Sequence, residues 1–283
     1  MKVINFACSL ACLAAPFAAV AAKPAVPQAP VVTYGLVRDE YGSPLTKASK
    51  AALSLVADSD RSGREYSRCA VGDSGIPGMN YRLSLEIDSR GPSRENAVVS
   101  GTDMFIKATV GGADETLAPE AVFAAPVQGT RQRLDFAIGS DADEDGMPDD
   151  WEEWVLDVAG LDSSPAGIAA FLPGADADGD GMSNLQEFLA GTDPFLSTDL
   201  LKIESLRLTE DGQRAEISFY TMPGRQYRLL MAESLRDPLW TPVATTRKAD
   251  GEMVYETYEG NGHLVTVYAD ARLSAMFFRV SCN

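Results

Sequence analysis

Two twelve-residue stretches carry most of the chemistry this sequence offers. Asp141 to Glu152 reads DADEDGMPDDWE, and Asp176 to Glu187 reads DADGDGMSNLQE. Each places acids at loop positions 1, 3 and 5, a glycine at 6, Asp or Asn at 9 and Glu at 12. Calcium is a hard cation that takes about six to eight oxygens at roughly 2.3–2.6 Å, so a loop that holds it must curl and aim alternate side chains at one point. In the first loop the spacing assigns Asp141, Asp143 and Asp145 as side-chain ligands, Met147 through its carbonyl, Asp149 directly or through water, and Glu152 with both oxygens. In the second loop the same roles fall to Asp176, Asp178, Asp180, the Met182 carbonyl, Asn184 and Glu187. Gly146 and Gly181 stand where the loop backbone turns most sharply and a side chain would resist. Two Ca2+ ions are the expected cofactors, and Asn184 makes the second site one charge poorer.

The charge distribution points the same way. Residues 140–199 hold 16 acids and neither Lys nor Arg, while the whole chain has a net charge of −17. All but one unit of the excess lies in that segment. A dense run of like charge is often no more than a solvated face. Here the acids are phased at fixed loop positions and interleaved with apolar residues, which a merely solvated run does not require. Outside the segment 25 acids meet 24 bases, so no basic face for nucleic acid is expected.

These loops depart from a paired EF-hand, which needs a helix on both sides. The first loop is entered through Arg133 to Ser140, which alternates like a strand, and the second through Pro173-Gly174, a helix breaker. Loop position 8 is Pro148 in one and Ser183 in the other, and a proline has no N–H to bridge two paired loops. The pattern Asp176 to Glu187 followed by Gly191-Thr192-Asp193-Pro194 resembles the bacterial thrombospondin type 3 repeat with its EF-hand-like calcium loop. The resemblance covers about a fifth of the chain. It implies calcium-binding spacers in exported proteins and no catalysis. The first loop lacks the GTDP tail.

Catalytic constellations are scarce. Gly72-Asp73-Ser74-Gly75 is similar to the nucleophile loop of chymotrypsin-like proteases, but the single His263 follows Ser74 by 189 residues, and in that family the His precedes. The motif therefore reads as a turn. His263 has no zinc-ligand spacing around it and reads as a surface or strand-end residue. No P-loop or dinucleotide glycine fingerprint occurs, and no catalytic residue is assigned. A carboxylate pair of glycosidase type stays open among so many acids.

The elements that must position the loops follow from periodicity. Residues 1–22 carry Lys2, an apolar stretch and Ala19-Val20-Ala21, the pattern of a secretory signal peptide rather than a membrane anchor. Cys8 and Cys12 lie inside it without a lipoprotein cleavage box. Residues 23–30 form a Pro-rich linker. From 31 to 139, alternating runs predict strands at Val31 to Val37, Ala51 to Ala57, Tyr66 to Val71, Asn80 to Ile87, Met104 to Val110 and Gln132 to Ile138, spaced as in a sandwich. Tyr34 to Ala48, with Gly35, Asp39, Gly42 and Pro44, resembles the start of carboxypeptidase-regulatory-like, or transthyretin-like, β-sandwich modules, which implies adhesion or spacing.

In the segment 140–199, Trp151, Trp154, Val155 and Val158 recur at helical spacing and predict one inward-packing stripe, with a sugar-stacking platform as the other reading. Leu185, Phe188 and Leu189 predict a second stripe, closed by Gly191 as a helix-ending glycine. From 200 to 283 strands are predicted at Leu200 to Leu208, Ala215 to Thr221, Gln226 to Met231, Met253 to Tyr258, Leu264 to Tyr268 and Met276 to Val280, with a hairpin turn at Gly260-Asn261-Gly262. Tyr227 to Trp240 and the ending Phe277 to Val280 look like a β-module that commonly follows these calcium repeats. Cys69 and Cys282, 213 residues apart, permit either a disulfide or two free thiols.

The sequence thus predicts a mainly β fold, two β-sandwich modules (31–139 and 200–283) joined by a short helical calcium-binding connector (140–199). The functional expectation is an exported calcium-binding protein of structural or adhesion type, secreted or located at the cell surface or in the periplasm. The alternatives are a carbohydrate- or cell-surface-binding module, with extracellular polysaccharide or protein as partner, and an accessory part of an extracellular hydrolase.

Overall fold

The computed structural model describes residues 29–57, 63–72, 74–76, 78–88, 97–254, 257–271 and 276–282. The predicted signal peptide at 1–22 lies outside the described residues, as does the linker at 23–30 except for its last two positions. The chain is mainly β, as the alternation predicts, and the three α-helices among the described residues are grouped between two β regions.

Along Tyr81–Ile87 the residues Tyr81, Leu83, Leu85 and Ile87 are buried while Arg82, Ser84 and Glu86 face solvent, which is the period-two pattern of a strand with one wet face. This strand pairs antiparallel with Val31–Gly35 and parallel with Ala97–Val98, and Arg131–Arg133 completes the sheet. A second sheet runs Val122–Ala124, Asp103–Val110, Ala51–Val56 and Glu65–Ala70, all antiparallel. Leu53, Leu55 and Ile106 from the second sheet share one apolar cluster with Val31, Leu83 and Leu85 from the first, the sandwich arrangement.

Two predicted strands divide, and they divide side by side. Val31 to Val37 breaks at Leu36, and Gln132 to Ile138 separates into Arg131–Arg133 and Phe136–Ile138. The Leu36 N–H donates to Asp135 Oδ1 at 2.8 Å instead of to a ladder partner. There the backbones approach so closely that a Cβ on Gly35 would lie 1.9 Å from the Leu134 carbonyl oxygen. Beyond the break, Phe136–Ile138 joins a small sheet with Val37–Arg38 and Leu117–Ala118 and delivers the chain to Ser140, where the first acidic loop begins.

In the C-terminal region, Ile203–Leu208, Arg214–Tyr220, Leu264–Asp270 and Thr245–Thr246 form one sheet. Its register places Ala215 opposite Ala269, Ile217 opposite Val267 and Phe219 opposite Val265. All six are buried against Tyr227 and Leu229 of Gln226–Ala232, which pairs with Phe277–Cys282, Thr241–Pro242 and Tyr258–Glu259 in the facing sheet. Gly260-Asn261-Gly262 is not a hairpin turn. It carries the chain from Tyr258–Glu259 in one sheet to Leu264–Asp270 in the other, held by Gly260 N–H donating to the Arg225 carbonyl and Thr221 N–H donating to the His263 carbonyl. Of the predicted strand Met253 to Tyr258, Val254 makes a single bridge, and residues 255 and 256 lie outside the described residues.

The helices are α1 (Asp149–Ala159), α2 (Pro165–Ile168) and α3 (Asn184–Ala190). They enclose a third apolar cluster of Met147, Trp151, Val155, Leu156, Phe171 and Phe188. Trp151 packs on Phe188 with ring centroids 5.0 Å apart, so α1 and α3 share one small core. Gly191 ends α3 in the left-handed conformation, as its position predicts. The predicted inward stripe holds only at Trp151 and Val155. Trp154 is 54% exposed and Val158 69% exposed, because the side of α1 that faces the core carries residues 151, 152, 155 and 156. None of the helices among the described residues is long and apolar enough to cross a membrane.

Candidate metal centre

The two acidic loops fold alike, and the likeness is carried by backbone amides that donate to the loops' own acids. In the first, Gly146 N–H donates to Asp141 Oδ2 at 3.0 Å and Met147 N–H to Asp145 Oδ1 at 2.9 Å. In the second, Gly181 N–H donates to Asp176 Oδ2 at 2.9 Å and Met182 N–H to Asp180 Oδ1 at 2.7 Å. Each loop is closed at position 9, where Asp149 N–H meets the Ser140 carbonyl at 2.9 Å and Asn184 N–H meets the Ala175 carbonyl at 2.8 Å. Asp141 and Asp176 also accept through Oδ1, from Asp145 N–H at 3.0 Å and Gly179 N–H at 2.8 Å, so both oxygens of each loop's first acid shape the turn, whereas Asp145 and Asp180 each use one. Gly146 and Gly181 adopt φ of 94° and 100°, which a residue with a Cβ resists.

The turns gather carboxylates. Ligand-capable oxygens of Asp141, Asp143 and Asp145 lie within 4.8 Å of one another, as do those of Asp143, Asp149 and Glu152, and those of Asp176, Asp178 and Asp180. The first loop thus brings together all five of its predicted acidic ligands through the shared Asp143. In the second loop three acids form the group. Glu187 stands outside that triplet, close enough to feel the charges of Asp180 and Asp178.

The last acid of each loop is fully enclosed. Glu152 and Glu187 are 0% exposed, and neither oxygen of either carboxylate has a hydrogen-bond partner among the described residues. Asp145 Oδ2, Asp178 Oδ2, Asp180 Oδ2 and Asn184 Oδ1 are buried and unpartnered too. Unpaired buried polar oxygens cost free energy, and an ionised carboxylate without a partner costs far more. Burial first, and then the neighbouring aspartates, push Glu152 up to about 9. Burial likewise raises Glu187 to about 8, with the Thr192 hydroxyl pulling the other way without closing a normal hydrogen bond, and raises Asp145 to about 6. In the protein alone these acids hold protons they would shed in water.

This donor set fits a hard cation. Every gathered group offers oxygen, with neither Cys nor His among them, which suits calcium or magnesium rather than zinc. The two methionines serve the scaffold through their side chains. Met147 is fully buried in the helical core, and Met182 Sδ accepts from Leu201 N–H at 3.3 Å. Asn184 spends its amide nitrogen on the Leu172 carbonyl at 2.9 Å, which leaves Oδ1 as its free oxygen.

The other candidates take structural roles. Ser74 Oγ lies 3.0 Å from the Ile76 carbonyl and 2.9 Å from the Met79 carbonyl and accepts from Ile76 N–H, so its hydroxyl is occupied by its own turn. Asp73 lies outside the described residues. His263 is exposed beside the crossover. Cys69 and Cys282 are free thiols. Burial pushes Cys282 up to about 11, and its Sγ donates to the Leu189 carbonyl at 3.4 Å.

One residue with a central position has no signature in the sequence. Arg225, 3% exposed, donates from Nη1 to Ser43 Oγ at 3.0 Å and from Nη2 to the carbonyls of Tyr41 at 2.9 Å and Phe188 at 3.1 Å. It ties the C-terminal β region to the first β region and to the end of α3 at one point. A basic residue after Pro223-Gly224 looks like any turn residue, and partners 182 and 184 positions away leave no local periodicity to read.

No protein-family model matches the chain, and no curated protein matches it. Among solved structures, the crystal structure of a DUF3823 family protein from Parabacteroides merdae aligns over 90% of this chain and 92% of its own, at 10% identity and a TM-score of 0.21. A superposition that loose carries no argument about fold or function.

Proposed function

We propose that this chain binds two calcium ions, one in each acidic loop, and that the ions rigidify the helical connector between its β modules. The observation that carries this reading is the pair of enclosed carboxylates, Glu152 and Glu187, whose four oxygens have no partner among the described residues. Natural proteins rarely leave such groups unanswered, and a bound cation answers them. In the first loop Asp141, Asp143, Asp145, the Met147 carbonyl, Asp149 and Glu152 would hold the ion. In the second, Asp176, Asp178, Asp180, the Met182 carbonyl, Asn184 and Glu187 would hold it. Calcium suits these sites better than magnesium, because magnesium keeps several waters and seldom occupies an all-protein cage.

The ions supply positive charge to a segment of 16 acids that itself contains neither Lys nor Arg. Each site stabilises the folded connector by mass action, about 2.7 kcal/mol when free calcium exceeds Kd a hundredfold. Because Trp151 and Phe188 share one core, ordering either loop supports the other. We place the protein outside the cell or at its surface, in a structural or adhesion-type role toward surface polysaccharide or protein. The signal-peptide pattern and the resemblance to thrombospondin type 3 repeats support that placement. Small-angle scattering with limited proteolysis tests the rigidifying role. Chelator should lengthen the particle and open cleavage within residues 140–199. Identical profiles and cleavage with and without calcium would rule it out.

A further inference from the structure

The two α1 residues that leave the core, Trp154 and Val158, line a groove. Its cavity of about 680 Å³ is bordered by Tyr41 from the first β region, by Asp193 and Asp199 after α3, and by Arg225. Tyr41 is 48% exposed and meets Trp154 edge to face, with centroids 6.2 Å apart and planes at 86°. Three large apolar side chains are thus held in solvent in a fixed arrangement, at a volume typical of ligand sites.

The exposed charges at and beside the groove are acidic. Trp154 stands between Asp150 four residues before it and Asp157 three residues after it, both exposed and neighbours on the helix surface, with exposed Glu153 beside them. Asp193 and Asp199 also line the groove. Among the described residues that line the groove the one base is Arg225, which is buried and donates to Ser43, Tyr41 and Phe188. An acidic occupant would be repelled by the helix acids beside Trp154 and by Asp193 and Asp199. An occupant with basic side chains beside apolar ones would match both features.

We propose that this groove docks a peptide segment of a partner protein that alternates apolar and basic side chains. The apolar groups would cover Trp154, Val158 and Tyr41, and the basic groups would meet Asp150, Asp157, Asp193 and Asp199. The groove spans two β regions and a helix, so it accommodates several side chains rather than one ammonium group. None of the residues that line the groove is a predicted calcium ligand, so this inference stands or falls separately from the metal reading.

Fluorescence anisotropy in calcium with labelled twelve-residue peptides tests it. A peptide alternating leucine and arginine should bind. Peptides alternating serine with arginine, and leucine with glutamate, should bind at least about tenfold more weakly, since aromatic anchors dominate such interfaces. The double variant Trp154→Ala, Val158→Ser keeps every charge and alters only exposed positions. It should reduce leucine–arginine binding about tenfold or more and leave serine–arginine binding unchanged. Equal binding of both arginine peptides, indifferent to the double variant, would show a surface that merely attracts cations and overturn the proposal. So would absence of binding, or a glycan array with hits lost in Trp154→Ala, which would assign the groove to sugars.

Discussion

Arg225 Nη2 lies 3.1 Å from the carbonyl oxygen of Phe188, the residue that directly follows Glu187. One hydrogen bond therefore joins the C-terminal β region to the helix that carries the second loop's last acid. The bond also places a cation at the C-terminal end of α3, where the helix dipole favours it. There is little slack here: a Cβ on Gly191 would lie 2.9 Å from Arg225 Nε, and one on Gly42 would lie 2.9 Å from Nη2.

Removing this clasp should be costly. Arg225→Ala would leave the Phe188 and Tyr41 carbonyls and Ser43 Oγ without their donor and open a cavity, a loss of about 3 kcal/mol or more. Arg225→Lys, with a point charge instead of a planar fork, should recover part of that. Denaturant unfolding measures both, and an Arg225→Ala chain as stable as the wild type would show that the clasp contributes nothing.

The first loop carries strain that the second avoids. Position 4 adopts a left-handed backbone in both, with Glu144 at φ 60° and Gly179 at φ 81°. Glycine reaches that conformation without a Cβ clash. Glu144→Gly should therefore raise the stability of the calcium-free chain by about 0.5–1 kcal/mol, read as a higher thermal midpoint. Gly179→Glu should lower it. Matching midpoints for all three chains would show that the loops tolerate either residue.

The enclosed acids give the calcium-free chain an unusual pH dependence. Glu152 at about 9 and Glu187 at about 8 hold more protons folded than unfolded, where a glutamate titrates near 4.3. Stability follows the excess of protons bound in the unfolded state, here negative, so it falls as pH rises from about 4.5 toward 9. In chelator the thermal midpoint should drop steadily across that window, and calcium should flatten the curve. A chelated chain with the same midpoint at pH 5 and pH 9 would contradict the burial of these carboxylates.

What the sequence disclosed depended on how far apart the cooperating residues stand. The turns of the two loops were legible because each sets its acids at fixed positions within twelve residues and bends at a glycine. Tyr81–Ile87 was legible because its own alternation records which face is wet. Trp154 and Val158 were misplaced because helical spacing shows which residues share a side but not whether anything covers it. The crossover at Gly260-Asn261-Gly262 imitates a hairpin locally, and only the pairing of its flanking strands in different sheets reveals otherwise. Ala97–Val98 and Leu117–Ala118 are two residues long and show no alternation to detect. Arg225 acts across the fold, at a distance that no window of sequence spans.

Isothermal calorimetry of calcium binding to the metal-stripped chain, beside Glu152→Gln and Glu187→Gln singly and together, tests the central claim most directly. Two saturable sites are expected in the wild type, one in each single variant and none in the double variant. A wild-type chain that takes up no calcium, or a double variant that still fills two sites, would contradict the assignment of these loops as the metal centres.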